Sequence, residues 1–299
     1  MSRSVMRIAQ ERLRDAFYDW LDDRDAASRR LREELDVNRH YQWVSGDKSE
    51  HSIVTNRCLC SMDCTYCSAN MIKRRISTPS VPQQNERGGK HEIATSKVNA
   101  RWSTHVRKRL VQFPSGHDIT PDIVEECVTT CRNILESGNE LLVTTKGIPA
   151  TVQRFIHEFG PGTPHHHRVL YMIALPTLED RLAELWEPRA PRISVRIDAL
   201  RMLRDADCDT AAAVLPCLSD PLPTMRAIAP LITDSIWVGE VATYAAQPPC
   251  RGDPVEKYRM SRLYENWRET VREVRSDARL RPVVYWMPSV MRRLMRAKP

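Results

Sequence analysis

The sequence is poor in glycine and in aromatic residues, and it contains no long apolar run. Only ten of its 299 residues are glycine, which excludes a collagen-like chain. No segment approaches the roughly 20 consecutive apolar residues that a membrane-spanning helix requires. The segment from Met1 to Asp36 mixes arginine with acidic residues and lacks the apolar core of a signal peptide. We therefore expect a soluble, cytoplasmic protein that does not interact with membranes.

The nine cysteines are an odd number, which fits a complete disulfide framework poorly. Four of them lie close together, at Cys58, Cys60, Cys64 and Cys67, and the other five are scattered. Hydrophobic residues make up 41% of the chain, which supplies enough apolar side chains for a core and excludes wholesale disorder. A reducing compartment and one local cluster of thiolates suit this distribution best.

Short apolar segments alternate with helical segments along most of the chain. The predicted strands are 51–55, 110–113, 140–145, 168–175, 209–216, 235–240 and 283–286. Such alternation predicts an α/β fold with a parallel sheet, whose site lies at the carboxyl ends of the strands.

The sequence divides into three segments. Residues 1–45 form an N-terminal helical segment, with a single helix predicted over 3–36. Residues 46–245 form the α/β domain, and residues 246–299 form a helical C-terminal extension that packs on it. A polar stretch with several prolines and glycines, residues 76–105, is predicted to be an insertion that forms a lid loop.

The strongest motif is Cys60-Ser-Met-Asp-Cys64-Thr-Tyr-Cys67, with the spacing Cys-x3-Cys-x2-Cys. Three thiolates at this spacing can bind three irons of a [4Fe–4S] cluster and leave the fourth iron open for a ligand. The alternative is a zinc knuckle that uses Cys58 or a nearby histidine as its fourth ligand. Zinc sites usually contain two Cys-x2-Cys pairs, and the sequence has no second pair. We favour the iron–sulfur cluster and treat Cys58 as a non-ligand.

This motif, with Tyr66 directly before its last cysteine, resembles that of the radical S-adenosylmethionine enzymes. The resemblance implies that Cys60, Cys64 and Cys67 hold the cluster and that its open iron takes the amino and carboxylate groups of S-adenosylmethionine. It further implies reductive cleavage of that cofactor to a 5′-deoxyadenosyl radical, which removes hydrogen from a substrate. An electron donor such as flavodoxin or ferredoxin is implied as a partner.

Beyond the cysteines, the sequence is most similar to the spore photoproduct lyase-like branch of this family, over roughly residues 50–295. The matching stretches are His117-Asp-Ile-Thr120, Leu142-Val-Thr-Thr-Lys146, Glu187-Pro188, Arg196-Ile-Asp-Ala-Leu200, Trp237-Val-Gly239 and Val284-Tyr-Trp286-Met-Pro-Ser289. The resemblance implies a partial (βα)6 TIM-type barrel of the radical S-adenosylmethionine kind.

Four residues are assigned to the cofactor by this resemblance. Tyr66 would lie near the adenine, Asp118 would contact the amino group or ribose, and Lys146 would meet the carboxylate, with Arg196 assisting. The residues themselves leave simpler roles open. Asp118 would then cap a helix that begins at Thr120, and Lys146 and Arg196 would be solvated ends of their elements.

One departure from the branch bears on the reaction. The lyase uses a cysteine just before its serine-aspartate pair as a hydrogen donor, whereas residues 115–118 read Ser-Gly-His-Asp here. We therefore expect a different hydrogen abstraction on the same scaffold. Two alternatives stay open: a zinc-stabilised nucleic-acid-binding module, and a scaffold that binds a cluster without radical chemistry.

Positive charge is concentrated in two segments. Residues 71–110 contain ten basic and two acidic residues, and residues 255–299 contain twelve basic and five acidic residues, in a chain whose total is +7. Such segments can neutralise phosphates, and Trp102, Trp267 and Trp286 among them can stack bases. These features favour a nucleic acid or nucleotide as substrate. In the alternative interpretation, the basic residues form a solvated face and the tryptophans belong to the core.

Two further groups contain residue types that can bind metals. Cys127 and Cys131 are one helical turn apart, which fits either an auxiliary cluster or, as we favour, two small core residues. The run from His165 to His167 follows a glycine- and proline-containing turn, and three adjacent histidines cannot all face one ion. We therefore interpret it as a surface turn.

Overall fold

The computed structural model describes residues 3–40, 44–45, 60–67, 93–100, 110–114, 116–240 and 263–296. Seven strands within these ranges form one sheet in sequential order, and each strand runs parallel to the next. The strands are β1 (Val44–Ser45), β2 (Leu110–Phe113), β3 (Glu140–Thr145), β4 (Val169–Ala174), β5 (Asp209–Val214), β6 (Ser235–Val238) and β7 (Val284–Trp286). The predicted α/β fold with a parallel sheet is confirmed, and the strand order is that of a partial barrel.

Helices connect the strands and precede the sheet. They are α1 (Arg3–Asp22), α2 (Arg24–His40), α3 (Thr95–Val98), α4 (Val124–Glu136), α5 (Pro149–Phe159), α6 (Asp180–Trp186), α7 (Ile193–Asp205), α8 (Pro221–Ile228), α9 (Trp267–Ser276) and α10 (Pro288–Arg296). The segment after residue 245 contributes β7 to the sheet as well as α9 and α10.

Apolar side chains cover both faces of the sheet, as the near-continuous apolar runs of its strands require. The larger cluster joins one face to the surrounding helices and includes Phe113, Val143 and Tyr171. Alternate strand residues such as Leu142, Met172 and Trp237 form a second, smaller cluster on the other face. The sheet is therefore buried on both sides.

The predicted single helix over 3–36 is wrong, because the chain forms two helices that break at Asp23. The Asp23 carboxylate accepts a hydrogen bond from the backbone N–H of Ala26 at 3.0 Å and so caps the start of α2. Helical periodicity continues on both sides of the break, which hides it in the sequence. Phe17 of α1 and Leu31 of α2 are fully buried, so the two helices pack as a hairpin.

Arg3 fixes the start of α1 to the amino-terminal edge of the sheet. Its guanidinium lies 2.7 Å from the carboxylates of Asp209 and Asp234, and its backbone N–H donates to Glu140 at 2.6 Å. Glu140 and Asp209 begin β3 and β5, and Asp234 directly precedes β6. The N-terminal helices therefore meet the barrel at the edge opposite to the carboxyl ends of its strands.

One sequence prediction shifts position, and another falls outside the described residues. The helix expected from Thr120 begins at Val124, because residues 121–123 form a turn instead. The first described strand is β1 at Val44–Ser45, whereas the predicted strand 51–55 lies outside the described residues, as do Cys58 and most of the insertion 76–105.

Candidate functional site

The three motif cysteines lie on one short, tightly turned loop. Cys60, Cys64 and Cys67 are half-buried, and none of them forms a disulfide. The N–H of Asp63 donates to the carbonyl of Cys60 at 3.2 Å, and the N–H of Cys67 donates to the carbonyl of Cys64 at 3.1 Å. Two successive turns therefore fold this segment, which we call the cysteine loop (residues 60–67), and Cys64 lies near enough to Cys60 and Cys67 to interact electrostatically with both.

Burial raises the pKa of two thiols in the cysteine loop. It raises the pKa of Cys60 to about 11, and the nearby Asp118 carboxylate adds to this rise. Burial also raises the pKa of Cys64 to about 12, with Lys146 acting in the opposite direction. Both thiols are therefore protonated near neutral pH in the metal-free chain. A metal that binds here must displace these protons, since the thiolate is the ligand.

The chemistry of the donor set fits an iron–sulfur cluster. Among the residues that the structure describes, no group of three or more His, Cys, Asp or Glu side chains is arranged to hold one metal ion. A [4Fe–4S] cluster makes a different demand, because each thiolate binds a different iron. Three cysteines on one loop, none of them in a disulfide, supply the required ligands in number and kind.

The cysteine loop is bound to the end of α6. The backbone N–H and the hydroxyl of Thr65 both donate to the carbonyl of Trp186, at 2.9 and 3.1 Å. The hydroxyl of Tyr66 donates to the carboxylate of Glu187. Two adjacent loop residues therefore contact two adjacent residues at the carboxyl end of this helix.

Glu187 is the centre of a buried ionic network. Its carboxylate pairs with the ammonium of Lys146 and, at 2.5 Å, with the guanidinium of Arg196. Arg196 also donates to the carbonyls of Pro191 and Ala174, at 2.8 and 3.1 Å. Lys146 is 7% exposed and Arg196 is fully buried, so their interpretation as solvated ends is wrong.

The network keeps its members charged although they are buried. Burial alone would raise the pKa of Glu187, but Lys146 and Arg196 outweigh it, and the pKa lies below its ordinary value. Burial alone would lower the pKa of Lys146, but the Glu187 carboxylate opposes this effect, and the pKa lies above its ordinary value. Burial and Glu187 raise the pKa of Tyr66, which therefore stays a hydrogen-bond donor.

Asp118 fixes the end of β2 to the end of β3. Its carboxylate accepts hydrogen bonds from the N–H of Ile119 at 2.7 Å, the hydroxyl of Thr145 at 2.6 Å and the N–H of Lys146 at 3.0 Å. Burial raises the pKa of Asp118, and these hydrogen bonds oppose the rise. Because α4 begins only at Val124, the interpretation of Asp118 as a helix cap is wrong.

The structure brings together the residues that the sequence singled out. Hydrogen bonds and ion pairs join Asp118 to Lys146, Lys146 to Tyr66 and Glu187, and Glu187 to Arg196, at the carboxyl ends of β2, β3 and β4. In the cysteine loop, Cys60 interacts electrostatically with Asp118, and Cys64 interacts electrostatically with Lys146. Glu187, which joins several of them, was recognised only as part of a matching stretch. Its sequence signal is weak, because an acidic residue before a proline is ordinary at a helix end.

Other candidate groups lie elsewhere. Cys127 and Cys131 are fully buried on α4 within the main core, as favoured from the sequence. His166 contacts the carbonyl of Asp207 at 2.6 Å, while the neighbouring His167 is 72% exposed near Asp209. These histidines face separate partners at the amino-terminal edge of the sheet.

The two basic segments are described only in part. Residues 71–92, 101–109 and 255–262 lie outside the described ranges, and Trp102 lies among them. Trp267 and Trp286 are buried and contact each other at 5.6 Å between ring centroids. Base stacking by these two tryptophans is therefore a wrong prediction, because both belong to the core.

None of the helices in the described part of the chain has both the length and the apolarity needed to cross a membrane. No protein-family model matches the chain. The chain is similar to the uncharacterized protein ORF301 of Acidianus two-tailed virus, with 23% identity over 170 residues. The similar region covers 52% of each protein, so the chain spans about half the length of this relative.

Proposed function

We propose that the chain is a radical S-adenosylmethionine enzyme of the spore photoproduct lyase-like branch, on a barrel of that kind. Cys60, Cys64 and Cys67 would hold a [4Fe–4S] cluster. When bound, such a cluster supplies the electron that cleaves S-adenosylmethionine to methionine and a 5′-deoxyadenosyl radical, which takes hydrogen from the substrate. The observation that supports this proposal is the contact between the cysteine loop and the buried Lys146–Glu187–Arg196 network.

The position of this contact supports the proposal further. Asp118 follows β2, Lys146 follows β3, and Arg196 binds the last carbonyl of β4. Active sites of (βα) barrels lie at this edge of the sheet, where loops from several strands meet.

The residues of the site suit an amino-acid-derived cofactor. Lys146 is a charged ammonium in a buried position, where its attraction for a carboxylate is strong. Lys146 and Arg196 are the two basic side chains of this buried set, and Glu187 and Asp118 are its two acidic ones; Lys146 is the basic side chain that lies beside Tyr66 of the cysteine loop. The Tyr66 ring, whose centroid lies 5.8 Å from the Lys146 ammonium, provides a flat face for the adenine. Arg196 acts through Glu187.

A nucleic acid or nucleotide is the proposed substrate, with flavodoxin or ferredoxin as the proposed source of electrons. The excess of basic residues in 71–110 and 255–299 supports the substrate class. The absence of a thiol in residues 115–118 favours a reaction that differs from the repair reaction of the lyase.

The proposal is tested on anaerobically reconstituted protein. We expect about four irons and four sulfides per chain, and formation of 5′-deoxyadenosine when dithionite and S-adenosylmethionine are added. Cys64→Ala should lose both the cluster and the cleavage. Cys58→Ala, which changes the cysteine two positions before the triad, should retain both. Cys208→Ala, which changes a buried cysteine directly before β5, should also retain both.

Two results would contradict the proposal. Zinc bound in place of iron would favour the nucleic-acid-binding module. A stable cluster that never cleaves S-adenosylmethionine would favour the scaffold.

A further inference from the structure

We infer that Glu187 is a positioning residue that docks the cysteine loop on the end of α6. The loop and this helix end are joined by three hydrogen bonds, two from Thr65 to the Trp186 carbonyl and one from Tyr66 to the Glu187 carboxylate. Tyr66 directly precedes Cys67, so this last bond controls the conformation of the loop next to a ligand of the proposed cluster. The importance of this docking for catalysis rests on the proposed function.

Glu187 is suited to hold the cysteine loop because its own backbone and carboxylate are fixed by other contacts. The N–H of Glu187 donates to the carbonyl of Ala183 at 2.7 Å, which fixes its backbone to the last turn of α6. Its carboxylate is held by Arg196, whose guanidinium is in turn held by the carbonyls of Ala174 and Pro191. The carbonyl of Trp186 lies in the final turn of the helix, where carbonyls lack intrahelical partners and are available to accept.

The same carboxylate also joins the loop to Lys146. The Lys146 ammonium pairs with Glu187 and lies 3.4 Å from the Tyr66 hydroxyl. The residue that holds the cysteine loop is therefore the residue that orients the proposed cofactor-binding cation. Glu187 therefore sets the position of the cysteine loop relative to the Lys146 ammonium.

Two substitutions separate the docking of the cysteine loop from the orientation of Lys146. Tyr66→Phe removes the hydroxyl that binds Glu187 and leaves the Glu187–Lys146 and Glu187–Arg196 pairs in place. Glu187→Gln keeps the size of the side chain and removes its charge from both pairs. Glu34→Gln is a matched control, because Glu34 is a buried carboxylate that also pairs with an arginine, Arg12, but lies on α2.

The docking is measured by alkylation of the reduced, metal-free chain with iodoacetamide, resolved by peptide mass spectrometry. Loss of a hydrogen bond to a charged group shifts a local opening equilibrium by about tenfold or more. We therefore expect Cys60, Cys64 and Cys67 to react about tenfold faster in Tyr66→Phe and Glu187→Gln, and at the wild-type rate in Glu34→Gln. The buried thiols, which serve as references within the same molecule, should keep their rates; they are Cys127, Cys131, Cys208 and Cys217.

Wild-type reaction rates of the loop thiols in both variants would overturn the inference. If Glu187→Gln raises the alkylation rate of the reference thiols as well, this variant has lost its fold. The docking is then tested by Tyr66→Phe alone. Acceleration confined to the loop in Tyr66→Phe then supports the inference, and its absence overturns it.

A second measurement uses the reconstituted protein. The rate of iron loss to a chelator should rise severalfold in Tyr66→Phe relative to wild type, since an undocked loop exposes the cluster. Equal rates would contradict the role of the docking in holding the cluster. A wild-type chain that takes up no cluster would contradict the proposed function. The alkylation experiment uses the metal-free chain, so it would still test whether Glu187 docks the cysteine loop.

Discussion

The carboxylate of Asp118 accepts a hydrogen bond from the backbone N–H of Lys146 at 3.0 Å, although the two residues are 28 positions apart in the sequence. This bond joins the chain after β2 to the chain after β3, beside the cysteine loop. It places a buried acid and a buried lysine on neighbouring strand ends and leaves the lysine ammonium to pair with Glu187. The position of Lys146 thus depends on carboxylates from two other segments.

Asp118→Asn should therefore destabilise the protein. The amide keeps the size of the side chain but replaces one acceptor oxygen by a donor. In the position of Oδ2 this donor faces the N–H of Lys146, and in the position of Oδ1 it faces the donors of Ile119 and Thr145. We expect the free energy of unfolding to fall by about 1–3 kcal/mol, measured by urea denaturation. The control is Asp198→Asn, since Asp198 is an exposed residue of α7. Equal losses in the two variants would contradict the structural role of Asp118.

The sequence predicted much of the fold because local patterns decide it. The bounds of β2 and β3 were predicted as the structure has them, since their short apolar runs lie between clear turn signals. The cysteine triad was singled out from its spacing alone, and its predicted cluster stays a prediction. Each of these features is confined to a few consecutive residues.

The parts that were missed depend on contacts between distant residues. Nothing near Glu187 in the sequence indicates that Tyr66, Lys146 and Arg196 surround it, since these residues lie up to 121 positions away. Similarly, the charges of Lys146 and Arg196 suggest solvated ends, and only the fold shows that Glu187 allows both to be buried.

Arg196→Met should cost more stability than a surface substitution. The apolar side chain leaves the buried Glu187 carboxylate with one cationic partner, Lys146, beside the Tyr66 hydroxyl, and leaves the carbonyls of Ala174 and Pro191 without this donor. We expect a loss of about 3–5 kcal/mol in the free energy of unfolding, measured by urea denaturation. Arg201→Met is the control on the same helix, because its exposed pair with Asp198 should contribute at most about 1 kcal/mol. Similar values for both variants would show that the buried network does not stabilise the fold.

Lys146→Met should separate cofactor binding from cluster binding. Removal of the ammonium takes away the proposed partner of the S-adenosylmethionine carboxylate, while the three cysteines remain. We expect the iron content of reconstituted protein to be unchanged and the affinity for S-adenosylmethionine to fall tenfold or more, measured by equilibrium dialysis. Lys146→Arg, which retains the charge, should bind better than Lys146→Met. Unchanged affinity in Lys146→Met would remove this lysine from the proposed cofactor site.

Binding to nucleic acid should depend steeply on salt if the two basic segments contact phosphates. A protein that contacts about six to ten phosphates loses about 10³–10⁵ in affinity between about 50 and 200 mM salt. The measurement is fluorescence anisotropy with a labelled single-stranded oligonucleotide over this range. Replacement of Arg292 and Arg296 on α10 by glutamine should flatten the slope by roughly the two contacts removed, whereas Arg201→Gln on α7 should leave it unchanged. No binding at low salt, or binding that salt does not weaken, would favour a small-molecule substrate for the proposed radical reaction.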